Sequence, residues 1–477
     1  MNKVLIISPH FPPTNAADMQ RVRLVLPYLR ENGWQAEVLA VAADCVASPV
    51  DEWLCAGLPA EVPVHRVAAM GLGWSRIPGL GTLTFRALSA LRRQGDALLT
   101  TGTFDLVYFS TTQFGVHVLG PRWQRKFGVP FMMDYQDPWV SDYYRTHPGI
   151  TPPGGRLKYW VADRLNRWQE PQVLRHCAGI TSVSPDYPKQ LRERYEWLKI
   201  ENWESGKQKI EIDRQTRHLT PALSPNDAER EKKAESWKHS LLAITLPFPG
   251  DERDLARVRD GNIRQNIFTP GDGNRHWVCV GRGGADMQTA LRGIFGAIQK
   301  HGRHAPDFLN NLRLHFIGTS YAGAGRGKKT VEPLAEEFAL GGVVREHTDR
   351  IRYAQALRCL LDADALFVPG SDDPGYTASK IYPYLLARKP LLAVFHENSS
   401  VVELMQNVQG GVVTPFRSGE SPESIAERIH KSWFETGRFD MITKLDERAF
   451  EPHTAPAQAR QLAAFFNQTL VDQKLKF

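Results

Sequence analysis

"ADALFVPGSDDPGYTASKIYPYLLARKPLLAVF" runs from Ala363 to Phe395. "DALFV" is an uninterrupted apolar run, as a strand buried on both faces should be. A bent loop of Gly, Pro and Asp follows, then Ser379, Lys380 and an apolar stretch at helical spacing. "PLLAVF" is a second buried run. Two such strands joined through a helix make a parallel crossover, the unit of an α/β sheet. Pro383 is tolerated only near a helix start, so the spacing predicts a helix from about Ser379. The amides at such a start have no partner inside the helix, and they favour anions such as phosphate.

The same grammar extends in both directions. "KVLIIS", "QAEVLAV", "DLVYFS", "VPFMMDY" and "GITSVS" read as strands in the first half, with helical patterns such as "MQRVRLVLPYLREN" between them. "RLKYWVADRLNRWQEPQVLRHC" reads as a long helix broken near Pro171. The pattern restarts at "HWVCVGRGG" and continues through "LHFIG" and "GVVREH" to the opening stretch. Two doubly wound α/β domains are expected, over 1–200 and 241–445, with a C-terminal helix in 446–477. Between the domains, 201–240 is polar, charged and poor in aliphatic residues, and reads as a mobile insertion or linker.

Composition narrows the function. The chain has 477 residues and a formal charge of +7. That excess suits an anionic substrate or weak attraction to an anionic membrane surface. The basic residues form no stripe of the kind that grips nucleic acid. The five cysteines are scattered without CxxC spacing, which argues against a zinc site and against a disulfide framework. No cluster has metal-ligand spacing, so no metal or cofactor is expected. The apolar run in "MNKVLIISPHFPP" is too short for a signal peptide, and no stretch nears the roughly 18–20 apolar residues of a membrane span. A cytoplasmic protein is expected, with peripheral attachment to the inner face of the membrane left open.

Several segments together resemble family 4 glycosyltransferases of the GT-B fold, which the family builds from two Rossmann-like domains facing each other across a cleft. "LIISPHFPPTNAADMQRVRLVLPYLRENGWQAEVLAV" is similar to that family's opening, with "TNAAD" where relatives carry glycines. The resemblance places Pro12, Pro13, Asn15 and Arg21 on the acceptor side. "PFMMDYQDPWVSDYY" is similar to the family's cleft segment and implies catalytic roles for Asp134, Gln136 and Asp137, with Trp139 stacking on a sugar. Gln136 stands where many relatives have His. A Gln takes no proton, so acid–base work would pass to Asp137.

"VCVGRGGADMQTALRGIFGAI" resembles the strand–loop–helix that cradles the donor diphosphate. It implies donor contacts from Gly281, Arg282, Gly283 and Gly284. Met287 and Gln288 stand where the family often has a lysine. The opening stretch departs from the family's two-glutamate motif and matches a subgroup with "P-S-K-x-Y-x-Y". Asp372, Asp373, Tyr376, Ser379 and Lys380 join the implied donor set, and Glu403 or Glu397 would stand near the ribose.

The resemblance implies a retaining, hexosyltransferase-type enzyme. It would move a sugar from a nucleotide-diphosphate sugar to a glycan or lipid-linked acceptor in bacterial cell-surface polysaccharide synthesis. Two readings stay open beside it: a non-catalytic GT-B protein that binds sugar or nucleotide or acts as a scaffold, and a nucleotide-sugar epimerase. "LGWSRIPGLGTLTFRALSALRRQGDALL", with Trp74, Phe85 and four arginines, is a candidate for membrane-surface contact, and an amphipathic helix lying on the sheet is the plainer reading.

Overall fold

The computed structural model describes residues 1–71, 73, 81–146, 155–204, 239–320, 322, 325–373, 375–376 and 378–476. The chain divides into two compact units, Met1–Pro247 with Gln458–Phe477, and Phe248–Ala457.

The first unit is built on eight parallel strands: β1 (Asn2–Ile7), β2 (Trp34–Val41), β3 (Val64–Val67), β4 (Leu106–Ser110), β5 (Phe131–Tyr135), β6 (Gly179–Ser182), β7 (Leu198–Asn202) and β8 (His239–Thr245). Their order across the sheet is β3-β2-β1-β4-β5-β6-β8-β7. The continuous apolar run of β1 serves two cores, because successive side chains leave opposite faces of a strand. Leu5 and Ile7 join one core, and Val4 and Ile6 join the other. Helix α1 (Gln20–Leu29) lies on the second face and helix α2 (Leu83–Thr101) on the first. Helix α3 (Arg156–Leu174) follows β5. Pro171 sits within its last turn, so the break expected there is absent.

The second unit has six parallel strands: β9 (Arg275–Val280), β10 (Leu312–Ile317), β11 (Val344–His347), β12 (Ala365–Pro369), β13 (Leu391–His396) and β14 (Val412–Phe416). Their order is β11-β10-β9-β12-β13-β14. Helix α4 (Gln288–His304) covers one face, with Leu291, Ile294, Phe295 and Ile298 buried. Helix α5 (Ile381–Ala387) connects β12 to β13. It begins two residues later than the sequence suggests, with Lys380 as its N-cap.

The structure moves three expected boundaries. Residues 241–245 belong to β8, whose apolar side chains close the first sheet between β6 and β7, so the first unit extends to Pro247. The linker read over 201–240 has strand at both ends: Glu201 and Asn202 finish β7, and His239 and Ser240 open β8. Its remainder, from 205 to 238, lies outside the described residues. The C-terminal helix α6 (Ala455–Lys476) returns to the first unit from Gln458 onward. It packs on the same face of the sheet as α1, where Leu462, Phe465 and Phe466 join that core. Phe466 packs edge-on against Trp34 and Tyr108, each at 5.1 Å between ring centroids.

Helix α2 turns Leu83, Ala87, Leu91 and Leu99 inward. Arg86 is buried too, donating to the carbonyls of Cys45 and Met70, which withdraws it from any membrane role. Trp74 lies outside the described residues.

Because Phe466 fills the space between two aromatic rings, Phe466→Ala should destabilise the first unit by about 3–5 kcal/mol. The expected signature is a lower urea midpoint at unchanged slope, followed by circular dichroism.

Candidate functional site

Inside each sheet the strand order reverses, between β1 and β4 in the first and between β9 and β12 in the second; the first also turns back at its edge, where β8 precedes β7. Ligands of open α/β sheets bind in the crevice beyond the carboxyl ends of the strands at such a point. The sequence-predicted residues gather at these two places.

At the first, the loop after β1 is pinned to the loop after β4 by Asp18. Its carboxylate accepts from the Thr111 hydroxyl at 2.9 Å, from the Thr112 amide at 3.2 Å and from the Thr112 hydroxyl at 3.3 Å. His10 Nδ1 lies 2.9 and 3.0 Å from its two oxygens. Burial pushes this carboxyl up. The His10 hydrogen bond and charge, with the donors from Thr111 and Thr112, outweigh burial and hold it below its ordinary value. Sequence reading passed over His10 and Asp18. They flank the Pro-Pro loop eight positions apart, and nothing in that spacing announces that the loop closes on itself.

Asp134 ends β5 and is fully buried. It accepts from Arg21 Nε at 2.6 Å, Ser110 Oγ at 2.9 Å, Gln136 Nε2 at 2.8 Å and Thr181 Oγ1 at 2.8 Å. Arg21 is 1 % exposed and also donates to the Leu246 carbonyl. Gln136 is 5 % exposed, and its amide also reaches Ser110 and the Asp18 carbonyl. These three side chains are committed to one another. This is where the structure places Asp134 and Gln136, expected to be catalytic, and Arg21, expected on the acceptor side.

Trp139 is likewise internal. Its ring stacks on Phe114 at 5.6 Å, and its Nε1 donates to Asn166 of α3, so it offers no platform to a sugar. Pro12 and Asn15 are buried and Pro13 is half-buried. The Pro12 carbonyl accepts from Arg66, and the Asn15 amide donates to the Pro49 carbonyl.

Asp137 differs from all of these. It is exposed, and its carboxylate makes no hydrogen bond among the described residues. The residue is exposed, yet protein crowds round its carboxyl, and that partial desolvation, with the charge of Asp18 after it, pushes the pKa up to about 6. A carboxylate that is accessible, unpaired and poised near neutrality fits proton transfer.

At the second reversal, Gly281 follows β9 with φ at +136°, a conformation that side chains other than glycine's rarely adopt. A Cβ there would stand 2.8 Å from Lys380 Nζ. The amides of Gly281 and Gly283 donate to the carbonyls of Ile317 and Thr319. They are therefore not the free phosphate donors that the Gly-rich loop suggests.

Arg282 is also engaged. It forms a two-pronged pair with Asp286, at 2.8 and 2.6 Å, and lies 5.1 Å from the Tyr376 ring centre. A Cβ on Gly284 would collide with Asp286 Oδ1 at 2.4 Å, so that glycine makes room for the pair. Asp286, absent from the sequence reading, further accepts from Ser371 Oγ at 2.7 Å and ties the two loops together. The Asp372 amide donates to the Asp286 carbonyl. Desolvation and the Asp286 charge raise the Asp372 carboxyl. Asp373 closes a turn on the Gly375 amide. Tyr384 of α5 bonds the Val280 peptide and sets the helix against the end of β9.

Lys380 Nζ is the exception in this network. It is shut off from solvent and has no hydrogen-bond partner among the described residues. A buried ammonium without an acceptor is costly, and an anion removes the cost. Ser379 is half-buried beside it in the same turn. Glu403 is exposed on the helix Ser400–Asn407, and Glu397 pairs with Arg417 at 2.9 Å. Among the described residues no three His, Cys, Asp or Glu side chains are grouped to hold a metal ion.

Residues 20–198 match the model of the glycosyl transferase 4-like domain. No curated protein matches the sequence. Among solved structures, the chain is similar to Alr3699/HepE of Anabaena, crystallised with UDP and glucose, at 14% identity and a TM-score of 0.56, covering 98% of this chain and 100% of that one. It is also similar to a UDP-forming α,α-trehalose-phosphate synthase of Burkholderia xenovorans, at 11% identity and a TM-score of 0.55, over 98% and 99% of the two chains. A trehalose-6-phosphate synthase of Burkholderia multivorans aligns at 10% identity and a TM-score of 0.56, over 99% and 100%. Identities this low establish the fold, and the fold is GT-B, as the sequence resemblance implies.

Removing one member of the buried Asp134–Arg21 pair strands the other. Asp134→Ala should therefore cost about 3–5 kcal/mol of stability, read by urea denaturation. For Asp137→Asn the sign is opposite. A folded-state pKa raised to about 6 means that the wild type loses stability as pH climbs from the ordinary carboxylate range through 6. The Asn variant should hold its melting temperature across that window or exceed the wild type above it.

Proposed function

We propose that this chain is a glycosyltransferase that moves a sugar from a nucleotide-diphosphate sugar to a glycan or lipid-linked acceptor. The observation that carries this reading is Lys380 Nζ, a buried ammonium without a partner at the strand reversal beside Gly281. The glycosyl transferase 4-like match over 20–198 supports the reaction class. The UDP found with the Anabaena protein favours a uridine diphosphate sugar as the donor to test first.

In this reading the donor diphosphate meets Lys380, which offsets the charge that builds on the leaving group as the glycosidic bond to it breaks. Arg282 stays on Asp286 and frames the pocket beside Tyr376, while Ser379, Asp372 and Asp373 shape its rim. Asp137 receives the acceptor hydroxyl, orients it and takes its proton. The His10–Asp18 pair fixes the loop in front of it. Retention of configuration, which the family resemblance implies, requires the acceptor oxygen to bond to the anomeric carbon on the face from which the diphosphate departs, while Asp137 takes the hydroxyl proton; hexose as the transferred sugar and a place in cell-surface polysaccharide assembly rest on the same resemblance.

UDP at 100 times its dissociation constant should add about 2.7 kcal/mol to the stability of the wild type. Lys380→Met should lose that increment, while its unliganded form is at least as stable as the wild type because the unpaired charge is gone. A wild type that gains nothing from UDP, GDP, ADP or dTDP would overturn the donor reading. Stabilisation without turnover of any nucleotide sugar would shift the choice to a binding protein. The rate of transfer should fall as pH drops through about 6, and Asp137→Asn should abolish both the rate and that limb of the profile.

A further inference from the structure

Helix α3 has its apolar side on the wrong face for a protein core. Of the twelve large hydrophobic side chains exposed among the described residues, five lie on it: Leu157, Trp160, Val161, Leu165 and Trp168. Leu157 is 72% exposed, Trp168 63% and Trp160 53%. At roughly 100° per residue these five fall within an arc of about 140°. The opposite side carries Glu170, Val173 and Leu174, which are buried. A helix that only covers its own sheet shows the reverse pattern.

Charge accompanies the stripe. Lys158 and Arg164 are exposed, and the Arg164 guanidinium lies 4.5 Å from the Trp160 ring centre. Both acids of the helix are neutralised on its inward side: Asp163 pairs with Arg167 at 2.9 Å, and Glu170 with Arg194 at 3.1 Å. The outward face therefore presents tryptophan, leucine and cations, and no exposed acid. That composition suits the headgroup layer of an anionic bilayer, where amphipathic rings and basic side chains both find partners. A second copy of the chain suits it less well, since a two-fold contact on this face would set its cations against one another.

We propose that the outward face of α3 is a membrane-docking surface, lying in the plane of an anionic lipid surface with Leu157, Trp160, Val161, Leu165 and Trp168 inserted. The docking face is joined directly to the loop that carries Asp137. Trp139 Nε1 donates to Asn166 Oδ1 at 3.2 Å, Asn166 Nδ2 donates to the Trp139 carbonyl at 3.3 Å, and the Tyr159 hydroxyl donates to the Ser141 carbonyl at 3.2 Å. A helix seated on lipid would thus hold the proton-accepting loop close to the surface, where a lipid-linked acceptor presents its sugar. The docking itself stands apart from the transferase reading, because lipid binding needs no nucleotide.

Flotation of the full chain with vesicles of phosphatidylcholine alone, and of phosphatidylcholine mixed with phosphatidylglycerol, tests this. The wild type should float with the anionic vesicles only, and less so as salt rises. Trp160→Ser with Trp168→Ser should abolish flotation while the melting temperature and any UDP stabilisation stay unchanged. Lys158→Gln with Arg164→Gln should weaken it about 30-fold, from roughly fivefold per basic residue. A folded wild type that does not float would overturn the proposal, and so would tryptophan variants that float as well as the wild type. Self-association lost in the tryptophan variants, without flotation of the wild type, would assign the face to a second copy of the chain and overturn it equally.

Discussion

The carboxylate of Asp134 is the point on which the first unit turns. It is buried at the end of β5 and is reached by Arg21 from α1, Ser110 from β4, Thr181 from β6 and Gln136 from the loop that follows. A charge so far from water is tolerable only when every lone pair is used and an opposite charge stands close. Satisfying it forces three strand ends and one helix into a single arrangement. The loop carrying Asp137 leaves from that arrangement, and Gln136 ties it to the Asp18 carbonyl. Asp134, Gln136 and Arg21 thus frame an adjacent carboxylate that makes no hydrogen bond among the described residues.

The second unit repeats the logic with one difference. Asp286 is its hub, binding Arg282 and Ser371 across the two loops at the strand reversal. Here the frame encloses a cation that it does not satisfy. Lys380 is held against Gly281, whose lack of a Cβ leaves room for the lysine tail. The polar groups around it are spent on each other, so the remaining demand for an acceptor points outward, toward a ligand. Other buried polar atoms also lack partners, Trp277 Nε1, His315 Nδ1 and Trp433 Nε1 among them, but Lys380 Nζ is the one ammonium group in that set, and a full charge is the costliest to leave unpaired.

Helix α3 connects this chemistry to the outside of the protein. Its inward acids are paired and its Asn166 and Tyr159 hold the loop after β5, so it cannot turn over to hide its tryptophans without breaking those bonds. The sequence reading looked for a membrane contact in the segment Leu72–Leu99, which also mixes aromatics with arginines. Composition is the same in both segments. Packing separates them, since α2 buries Arg86, Leu83, Leu91 and Leu99 and leaves Phe85 as its one exposed large hydrophobic, while α3 exposes five.

The parallel α/β architecture was legible in the chain because buried strands need continuous apolar runs and helices need a different period, and both are local. Runs such as "KVLIIS" and "DALFV" therefore fell on strands β1 and β12. Strands β3, β7 and β14 escaped because they lie at sheet edges, where one exposed flank weakens the pattern, and β8 because its short apolar run follows directly on a long polar segment. Gly281, Lys380 and Asp137 stand out in the sequence because strand–loop–helix junctions recur with recognisable residues. Which of the acids and arginines are free to act does not. Asp134 and Asp137 stand three positions apart with the same side chain, and Arg21 and Arg282 carry the same charge. Their partners come from segments tens of residues away, so whether a charge is paired or available is settled only when the fold brings those segments together.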